Sequence, residues 1–262
     1  MLESRISAVA VYQNALTRLS QTRSDLQVLW HLAFAPIRGD SHAERLESFY
    51  QHQAGLYDRF RERLLAGRQE LYASLPVPEQ GTWVDLGGGT GSNAEYLGAR
   101  LPRLERLWIV DLSASLLEVA RQRAAARHWS NVELCQEDAC SWTPPCEKVD
   151  VVTFSYSLTM MPDWLAAIDH AYDLLKPGGT IGVVDFYVSR KFPRPNHVRH
   201  SWSTRTFWST WFGLDNVFLS PDHLAYLERR FECVNLAERR APVPYLVGAK
   251  APYYLFQGRK PL

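Results

Sequence analysis

The segment Val84–Gly91, with the sequence VDLGGGTG, constrains the fold of this chain more than any other feature. A strand-like apolar run enters it, and a helical pattern leaves it at Ser92. Glycine lets the backbone turn tightly and approach a ligand closely, and the first amides of the following helix face the same spot. Ser92 stands where a dinucleotide fingerprint needs glycine, and the Gly-Lys-Ser/Thr of a phosphate loop is absent. The loop therefore predicts a strand–turn–helix unit that holds a small ligand.

Short apolar runs and helical patterns alternate after this loop begins. Strands are predicted at 83–86, 107–112, 131–139, 149–158 and 180–188, and helices at 92–101, 113–127 and 164–175. Such alternation indicates a parallel sheet covered on both faces. Two closing strands, 231–238 and 252–259, predict an antiparallel hairpin at one edge. The expected fold is α/β: a doubly wound, mostly parallel seven-stranded sheet with an antiparallel edge hairpin and an N-terminal helical extension.

Two parts of the chain are expected. Residues 1–76 contain few Gly or Pro, and their apolar residues recur at spacings of three and four positions, which predicts a helical extension or lid. Residues 77–262 would hold the sheet, with an aromatic and basic insertion at 186–220. The four cysteines match no zinc spacing, and no apolar run reaches the ~18 residues of a membrane span. We expect free thiols and a chain that meets a membrane only at its surface.

Acidic residues lie at the ends of the first three predicted strands. Asp85 stands two residues before the first glycine, and Asp111 ends the second strand, where a carboxylate can accept both hydroxyls of a ribose. Asp138, followed by Ala139, ends the third strand, where an acid can accept the exocyclic amine of adenine. The turn LLKPGG at 174–179 precedes the fifth strand. Each feature alone fits a cap or a turn, but their joint order and spacing indicate a nucleoside site.

Together these motifs resemble the class I S-adenosylmethionine-dependent methyltransferases, whose fold is Rossmann-like. The resemblance implies S-adenosyl-L-methionine as cofactor, S-adenosyl-L-homocysteine as product and no metal. The cofactor-binding residues that it implies are Tyr57, Arg68, Asp85, Gly87, Gly89, Thr90, Gly91, Asp111, Leu112, Asp138, Ala139 and Ser155. A solvated helix charge explains Arg68 equally well. The end of the fourth strand, 155–157, lacks the Asn/Asp-Pro-Pro-aromatic motif of enzymes that methylate nucleobases, which counts against a nucleic-acid substrate.

A closer resemblance extends over nearly the whole chain. The sequence is similar to the betaine-lipid N-methyltransferases in the segments 29–50, 57–72, 83–98, 151–164 and 183–224. It implies three methyl additions to the amine of diacylglyceryl-homoserine, yielding diacylglyceryl-N,N,N-trimethylhomoserine, by a cytoplasmic protein peripheral on the inner face of the membrane. The aminocarboxypropyl transferase that makes the substrate is a further expected partner. Alternatives are a methyltransferase of phosphatidylethanolamine or of a quinone precursor, and a non-catalytic scaffold that binds cofactor or lipid.

Charge and aromatic residues are distributed unevenly. The whole chain has 29 Lys and Arg against 28 Asp and Glu, which argues against general coating of nucleic acid. Between Asp185 and Asp215, however, cations alternate with Trp and Phe and no acid occurs. This pattern suits an anionic bilayer, RNA stacking or a cap that buries its aromatic side chains. Candidate substrate-binding residues are Arg190, Arg199, His200 and Arg205, and Trp208 and Trp211 are candidate lipid contacts.

Catalysis by positioning is expected. With an amine pKa of about 8, roughly a tenth of the acceptor is unprotonated at pH 7, which costs about 1.4 kcal/mol. Alignment of the reactants contributes about 7–11 kcal/mol in good cases. Tyr156 and Tyr187 are the candidates that orient the amine, and Asp185 is the candidate that accepts a proton or attracts the ammonium.

Overall fold

The computed structural model describes residues 44, 47, 63–243, 246 and 248–262. Most of the predicted extension, 1–76, therefore lies outside the described residues. Strands are β1 Thr82–Leu86, β2 Arg106–Asp111, β3 Val132–Gln136, β4 Val149–Ser155, β5 Leu175–Phe186, β6 Glu232–Pro242 and β7 Lys250–Arg259. Helices of the described part are α1 Arg68–Ser74, α2 Ala114–Ala126, α3 Trp164–Leu174, α4 Trp202–Gly213 and α5 His223–Arg230, with 3₁₀ helices at Ser92–Arg103 and Leu158–Met160.

The seven strands form one sheet in the order β3-β2-β1-β4-β5-β7-β6. Strands β1 to β5 pair in parallel, whereas β7 pairs antiparallel with both β5 and β6. The predicted fold class is confirmed, including the edge hairpin. Strand order reverses beside β1, so the carboxyl ends of β1, β2 and β4 meet where ligands bind in sheets of this kind.

Both faces of the central strands are covered by packed side chains. All five residues of β1 are buried, and successive side chains enter opposite layers of the core. Trp83 packs in the layer that includes α1 and α4, whereas Val84 packs in the layer that includes α3 and α5. Burial on both sides explains why the central strands have continuous rather than alternating apolar patterns.

Two predicted elements differ in their ends or type. The helix predicted at 92–101 is a 3₁₀ helix, Ser92–Arg103, in which Gly98 has φ 52° and Pro102 lacks an amide hydrogen. The strand predicted at 149–158 ends at Ser155, because Tyr156 takes a left-handed φ of 56° and turns the chain away. This turn directs the residues after β4 toward the glycine loop.

Candidate functional site

A cavity of about 250 Å³ lies at the carboxyl ends of β1 to β4. Its lining comes from the glycine loop and from the segments that follow the next three strands. The lining residues are Gly87, Gly89, Asp111, Leu112, Leu116, Glu137, Asp138, Ala139, Cys140, Tyr156, Ser157, Met160, Met161, Pro162 and Asp163. Seven of these were predicted as site residues from the sequence: Gly87, Gly89, Asp111, Leu112, Asp138, Ala139 and Tyr156.

The glycine loop crosses the cavity floor at a distance that only glycine permits. Gly87 has φ 70°, and a Cβ built on it would lie 2.5 Å from Cβ of Ser157. The amides of Gly87 and Gly88 donate to the carbonyl of Val110 at 2.8 and 3.2 Å. The loop is thus fixed to β2 on one side and packed against the residues after β4 on the other.

Asp111 is held by two backbone amides. Its Oδ2 accepts from the Gly89 amide at 2.8 Å, and its Oδ1 accepts from the Ser113 amide at 2.9 Å. A carboxylate has about four lone-pair sites, which is enough for two amides and the two hydroxyls of a ribose. This arrangement orients the carboxylate into the cavity before any ligand arrives.

Glu47 is a residue of this region that sequence reasoning missed. Its Oε2 accepts from the Ser113 hydroxyl at 2.8 Å, and the Ser115 hydroxyl also donates to its carboxylate. Burial opposes ionisation, but the bonds from Ser115 and Ser113 outweigh it and lower the pKa of Glu47. An anion suits the N-terminus of α2. No local pattern could reveal this contact, since 66 positions separate Glu47 from Ser113.

The adenine end of the predicted site combines one acid with apolar side chains. Asp138 Oδ1 accepts from the Cys140 amide at 2.8 Å, which fixes the carboxylate beside Ala139. Burial and the nearby Asp138 raise the pKa of Cys140 to about 12, so the thiol stays protonated. Leu112 and Leu116 add apolar wall on the α2 side.

The loop after β4 also supplies cavity-lining residues that were not predicted from the sequence. Met160, Met161 and Pro162 line the cavity, and Asp163 then caps α3 by accepting from the Ala166 amide at 3.0 Å. Thioether side chains are flexible and adapt to flat ligands. These residues could have been predicted from their place in the chain, because the loop after β4 leaves the same edge of the sheet as the glycine loop.

Asp85 lies behind the glycine loop and does not line the cavity. Its Oδ1 accepts from Tyr72 Oη and Thr153 Oγ1, both at 2.8 Å, and its Oδ2 accepts from Asn93 Nδ2 at 3.1 Å. Burial raises the pKa of Asp85 despite these bonds. A Cβ on Gly88 would lie 2.9 Å from Oδ2, so the carboxylate supports the loop from beneath. Asp85 was predicted to lie near the amino group of the cofactor's methionine. In this structure it lies behind the glycine loop and supports it.

Arg68 and Ser155 also lie outside the lining. Arg68 Nη1 donates to Ser92 Oγ at 3.2 Å, and its guanidinium lies 5.6 Å from the ring centroid of Tyr96. The Ser155 hydroxyl donates to Asn93 Oδ1 at 3.4 Å. Both side chains contact the start of the 3₁₀ helix at Ser92 and Asn93, behind the cavity.

The remaining predicted cofactor residues have structural positions or cannot be placed. Thr90 is buried, and its carbonyl accepts from the Arg123 guanidinium. Gly91 has φ 68°, and a Cβ there would lie 3.3 Å from that of Ala120, so glycine lets α2 approach the loop. Tyr57 lies outside the described residues.

The two predicted catalytic tyrosines lie on opposite faces of the sheet. Tyr156 lines the cavity and its ring centroid is 4.6 Å from that of Phe186. Tyr187, the next residue after Phe186, packs in the opposite core layer, and its Oη donates to Glu238 at 2.6 Å. Because side chains alternate along the chain here, Tyr187 faces away from the cavity that Tyr156 lines. The structure thus does not bring the two tyrosines together, and the role of Tyr187 stays a prediction.

Asp185 links two elements of the core and does not reach the cavity. The side chain is fully buried. Its Oδ1 accepts from Thr159 Oγ1 and the Phe186 amide, both at 2.8 Å, and its Oδ2 accepts from the Thr159 amide at 3.2 Å. Burial raises the pKa of Asp185 to about 7 against these bonds. The structure thus places Asp185 in the core rather than in the cavity wall, and its predicted contact with the acceptor amine stays a prediction.

Arg190 and Arg199, predicted to bind substrate, are engaged elsewhere. Arg190 Nε lies 2.5 Å from Asp222 Oδ1, and the residue lines a separate cavity of about 60 Å³ next to Tyr187. The Arg199 guanidinium lies 5.6 Å from the ring centroid of Phe192. Neither residue lines the larger cavity.

His200 and Arg205 are likewise outside the cavity lining. His200 Nδ1 accepts from the Ser189 amide at 3.0 Å, and burial and Arg240 lower the pKa of His200 to about 4, so the ring is neutral. Arg205 lies on α4, and its Nε is buried without a hydrogen-bond partner among the described residues. The predicted acceptor-binding group is thus dispersed in the structure.

The described part of the chain holds neither a metal-binding cluster nor a helix that could span a membrane. The residues there contain no group of three His, Cys, Asp or Glu side chains arranged to hold a metal ion. None of the helices there is long and apolar enough to cross a bilayer. The four cysteines are free thiols.

Comparison with known proteins agrees with the geometry. Residues 84–179 match the family described as "Methyltransferase domain". The chain is 30% identical over 146 residues to 2-phytyl-1,4-naphtoquinone methyltransferase of Thermosynechococcus vestitus, covering 54% of this chain and 64% of that protein. It is 31% identical over 128 residues to trans-aconitate 2-methyltransferase of Variovorax paradoxus, covering 49% of this chain and 47% of that protein. The chain thus spans less than two thirds of either relative.

A solved structure shows the same fold at low identity. The phosphoethanolamine N-methyltransferase 2 of Haemonchus contortus, in complex with phosphomonomethylethanolamine and S-adenosylhomocysteine, superposes with a TM-score of 0.64 and 16% identity. The superposition covers 86% of this chain and 61% of that one. The chain therefore has a Rossmann-like fold, and its residues 84–179 are similar to the methyltransferase domain family.

The buried carboxyl of Asp185 makes stability depend on pH. Its pKa is about 7 when folded, against an ordinary value of 3.8, so the folded state binds more protons in this window. The free energy of unfolding should therefore fall as pH rises from about 4 to 7. Asp185→Asn should lose this component, and its stability relative to the native protein should increase across the window. Urea unfolding at about pH 4 and pH 7 measures the free energy of unfolding of each protein. Asp173→Asn is the control, because its side chain is exposed. Equal pH slopes for the native and Asp185→Asn proteins would contradict the assignment.

Proposed function

We propose that this protein is an S-adenosyl-L-methionine-dependent methyltransferase. The observation that carries the proposal is Asp111, held by the amides of Gly89 and Ser113 in a cavity at the carboxyl ends of the strands. A carboxylate at this place suits the two hydroxyls of a ribose. The match of residues 84–179 to the methyltransferase domain family supports the same conclusion.

The residues that are present fit the cofactor. Asp111 would accept the ribose hydroxyls, Asp138 the exocyclic amine of adenine, and Leu112 with Leu116 would contact the ring. At Gly87 a Cβ would already collide with Ser157, so the loop presents bare backbone to the ligand. When bound, the cofactor supplies a methyl group on a positively charged sulfur.

Tyr156 defines the side of the cavity where we place the acceptor. Its Oη donates to the Ala66 carbonyl at 2.6 Å, so the hydroxyl is held and the ring presents its surface. Burial and Asp185 raise the pKa of Tyr156 well above its usual value, so the phenol stays neutral and does not serve as a base. An aromatic face can stabilise a cationic amine by about 0.5–2 kcal/mol, including one that gains methyl groups. Positioning, with the proton lost to water, suits this site.

We assign the acceptor as the amine of diacylglyceryl-homoserine, methylated three times. This assignment is supported by the similarity to betaine-lipid N-methyltransferases, which includes 151–164 around the cavity and 183–224 beside it. The Haemonchus structure carries an amine acceptor on the same fold. The substrate-making aminocarboxypropyl transferase as a partner and the location on the inner membrane face stay predictions.

A quinone precursor is the second candidate acceptor. The Thermosynechococcus relative acts on a naphthoquinone with a phytyl chain by its name, and it is 30% identical over 146 residues. Both candidates are lipid-like, but one presents nitrogen and the other ring carbon. The two proposals therefore differ in which atom the cavity must position.

Asp111→Asn tests the cofactor site. The amide NH₂ would face the Gly89 or Ser113 amide, and one acceptor for ribose is lost. Hydrogen bonds to charged groups contribute about 1.5–3 kcal/mol, so calorimetry should show S-adenosylhomocysteine bound at least about tenfold more weakly. Asp173→Asn is the matched control, since its side chain is exposed on α3. Unchanged affinity in a folded Asp111→Asn protein would contradict the site.

The acceptor is tested with three lipids and methyl-labelled cofactor. We expect mass spectrometry to show one, two and then three methyl additions to diacylglyceryl-homoserine, and none to phosphatidylethanolamine or a demethylated quinone. Methylation of the quinone alone would replace the assignment by the second candidate. Cofactor binding without transfer to any of the three would favour the non-catalytic scaffold.

A further inference from the structure

The outer face of α4 carries no charged residue. The helix buries Trp208 and Phe212 against the core, while Trp202 is 74% exposed and Phe207 is 47% exposed. The other exposed positions of its outer side are Ser203, Thr206 and Thr210, followed after the helix by Leu214 at 72% exposure. A helix that faces water normally presents charged residues on that side. An uncharged outer face with exposed Trp, Phe and Leu indicates a surface that meets a less polar medium.

Further exposed apolar side chains lie along the same stretch of chain. Phe192 is 72% exposed and Phe218 is 64% exposed. Of the nine large hydrophobic residues that are exposed among the described residues, six fall between positions 192 and 218. Single exposed hydrophobic residues need no explanation, whereas several on one surface mark an interaction site. We call Trp202, Phe207 and Leu214, with Phe192 and Phe218, the α4 face.

Two cations, Lys191 and Arg199, lie beside the ring of Phe192. Lys191 Nζ lies 5.4 Å and the Arg199 guanidinium 5.6 Å from the centroid of its ring. No acid of the described part forms an ion pair with either cation, whereas Arg190 and Arg194 pair with acids of the α5 region. The available charge of the basic stretch is thus concentrated beside an exposed ring.

The α4 face is connected to the cavity by contacting rings. The row begins at Tyr156 in the cavity wall and ends at exposed Phe207. Successive centroid distances are 4.6 Å for Tyr156–Phe186, 4.4 Å for Phe186–Phe212, 5.5 Å for Phe212–Trp208 and 4.9 Å for Trp208–Phe207. On the other side, the Phe218 amide donates at 2.8 Å to the carbonyl of Thr159, which precedes cavity-lining Met160. A continuous row of packed rings therefore links the face to the site where we place the acceptor.

We propose that the α4 face docks on the surface of an anionic lipid bilayer. Trp residues favour the membrane interface, an uncharged helix face can enter the boundary between headgroups and acyl chains, and Lys191 with Arg199 would contact the anionic headgroups. RNA fits less well, because acids pair with Arg190 and Arg194 instead of leaving them to follow a phosphate backbone. The inference deepens the proposed function, since a diacyl acceptor is presented by a bilayer.

The structure also corrects which aromatic residues face the lipid. Trp208 is 4% exposed and contacts Phe212, so the lipid-facing role that the sequence suggested for it is wrong. Trp211 is only half-buried, with its ring stacked 6.0 Å from that of Phe207. Substitutions that test docking belong at Trp202 and Phe207.

Vesicle flotation with the full chain tests the proposal. We use phosphatidylcholine vesicles with and without about one third phosphatidylglycerol, containing no acceptor lipid. The native protein should float with the anionic vesicles only, and Trp202→Ser/Phe207→Ser should bind them at least about tenfold more weakly. The matched control is Leu165→Ser/Val234→Ser, which removes two exposed hydrophobic residues outside the α4 face. Equal flotation of the two double variants, or equal binding to neutral vesicles, would overturn the proposal.

Charge variants give an independent measurement. Lys191→Ala and Arg199→Ala should each weaken binding about fivefold at low salt, and the difference should shrink at about 1 M salt. Arg121→Ala on α2 is the control and should bind as the native protein does. Absence of any loss in both variants would overturn the electrostatic part of the docking surface.

Two further readouts separate this inference from the proposed function. Calorimetry with S-adenosylhomocysteine should give the same affinity for the native protein and Trp202→Ser/Phe207→Ser, so lost flotation with kept affinity supports docking. If the native protein floats but methylates no acceptor, docking stands and the proposed function fails. Sedimentation velocity tests whether a second copy of this chain covers the face instead. A native dimer that dissociates in Trp202→Ser/Phe207→Ser, in a protein that does not float, would identify the face as a contact between copies and overturn the proposal.

Discussion

The close approach of the glycine loop to the residues after β4 is the constraint on which the rest of the site depends. Gly87 lies where even one methyl group would meet Ser157 at 2.5 Å, and its positive φ turns the chain back toward β2. From there the Gly89 amide reaches Asp111. The cavity floor, the orientation of the Asp111 carboxylate and the start of the 3₁₀ helix are therefore consequences of one short segment.

A buried polar layer holds this segment in place. Asp85 is 2% exposed and accepts from Tyr72, Thr153 and Asn93, which belong to three different elements. Leaving one buried polar group unsatisfied costs about 1–3 kcal/mol, so the layer is stable only when all its members are present. It ties α1, β4 and the 3₁₀ helix to the loop from behind. Asp185 does the same for β5 and the 158–160 turn, which explains how an acid can be essential to the architecture without touching a ligand.

The sequence predicts the architecture and the place of two acids in the cavity wall, for definite physical reasons. Alternating runs determine a parallel sheet, and parallel strands bring their carboxyl ends together, so Asp111 and Asp138 line the cavity as their positions indicate. Tyr187 lies outside the cavity lining because the face that a residue occupies depends on where the strand turns, which the sequence does not show. Trp208 was wrongly expected to contact lipid because the sequence does not show which side of α4 packs against the core. Glu47 was missed because contacts between distant segments leave no local pattern.

Binding of S-adenosylhomocysteine to Gly87→Ala tests most directly the claim that the loop's close approach builds the site. The matched control is Gly213→Ala, where a Cβ meets no atom within 4 Å. Both proteins should melt cooperatively, since Gly87 lies outside the two apolar core layers. We predict that calorimetry shows native affinity for Gly213→Ala and affinity at least about tenfold weaker for Gly87→Ala, because strain of about 1–3 kcal/mol must displace the loop or Ser157. Native affinity in a folded Gly87→Ala protein would contradict the account.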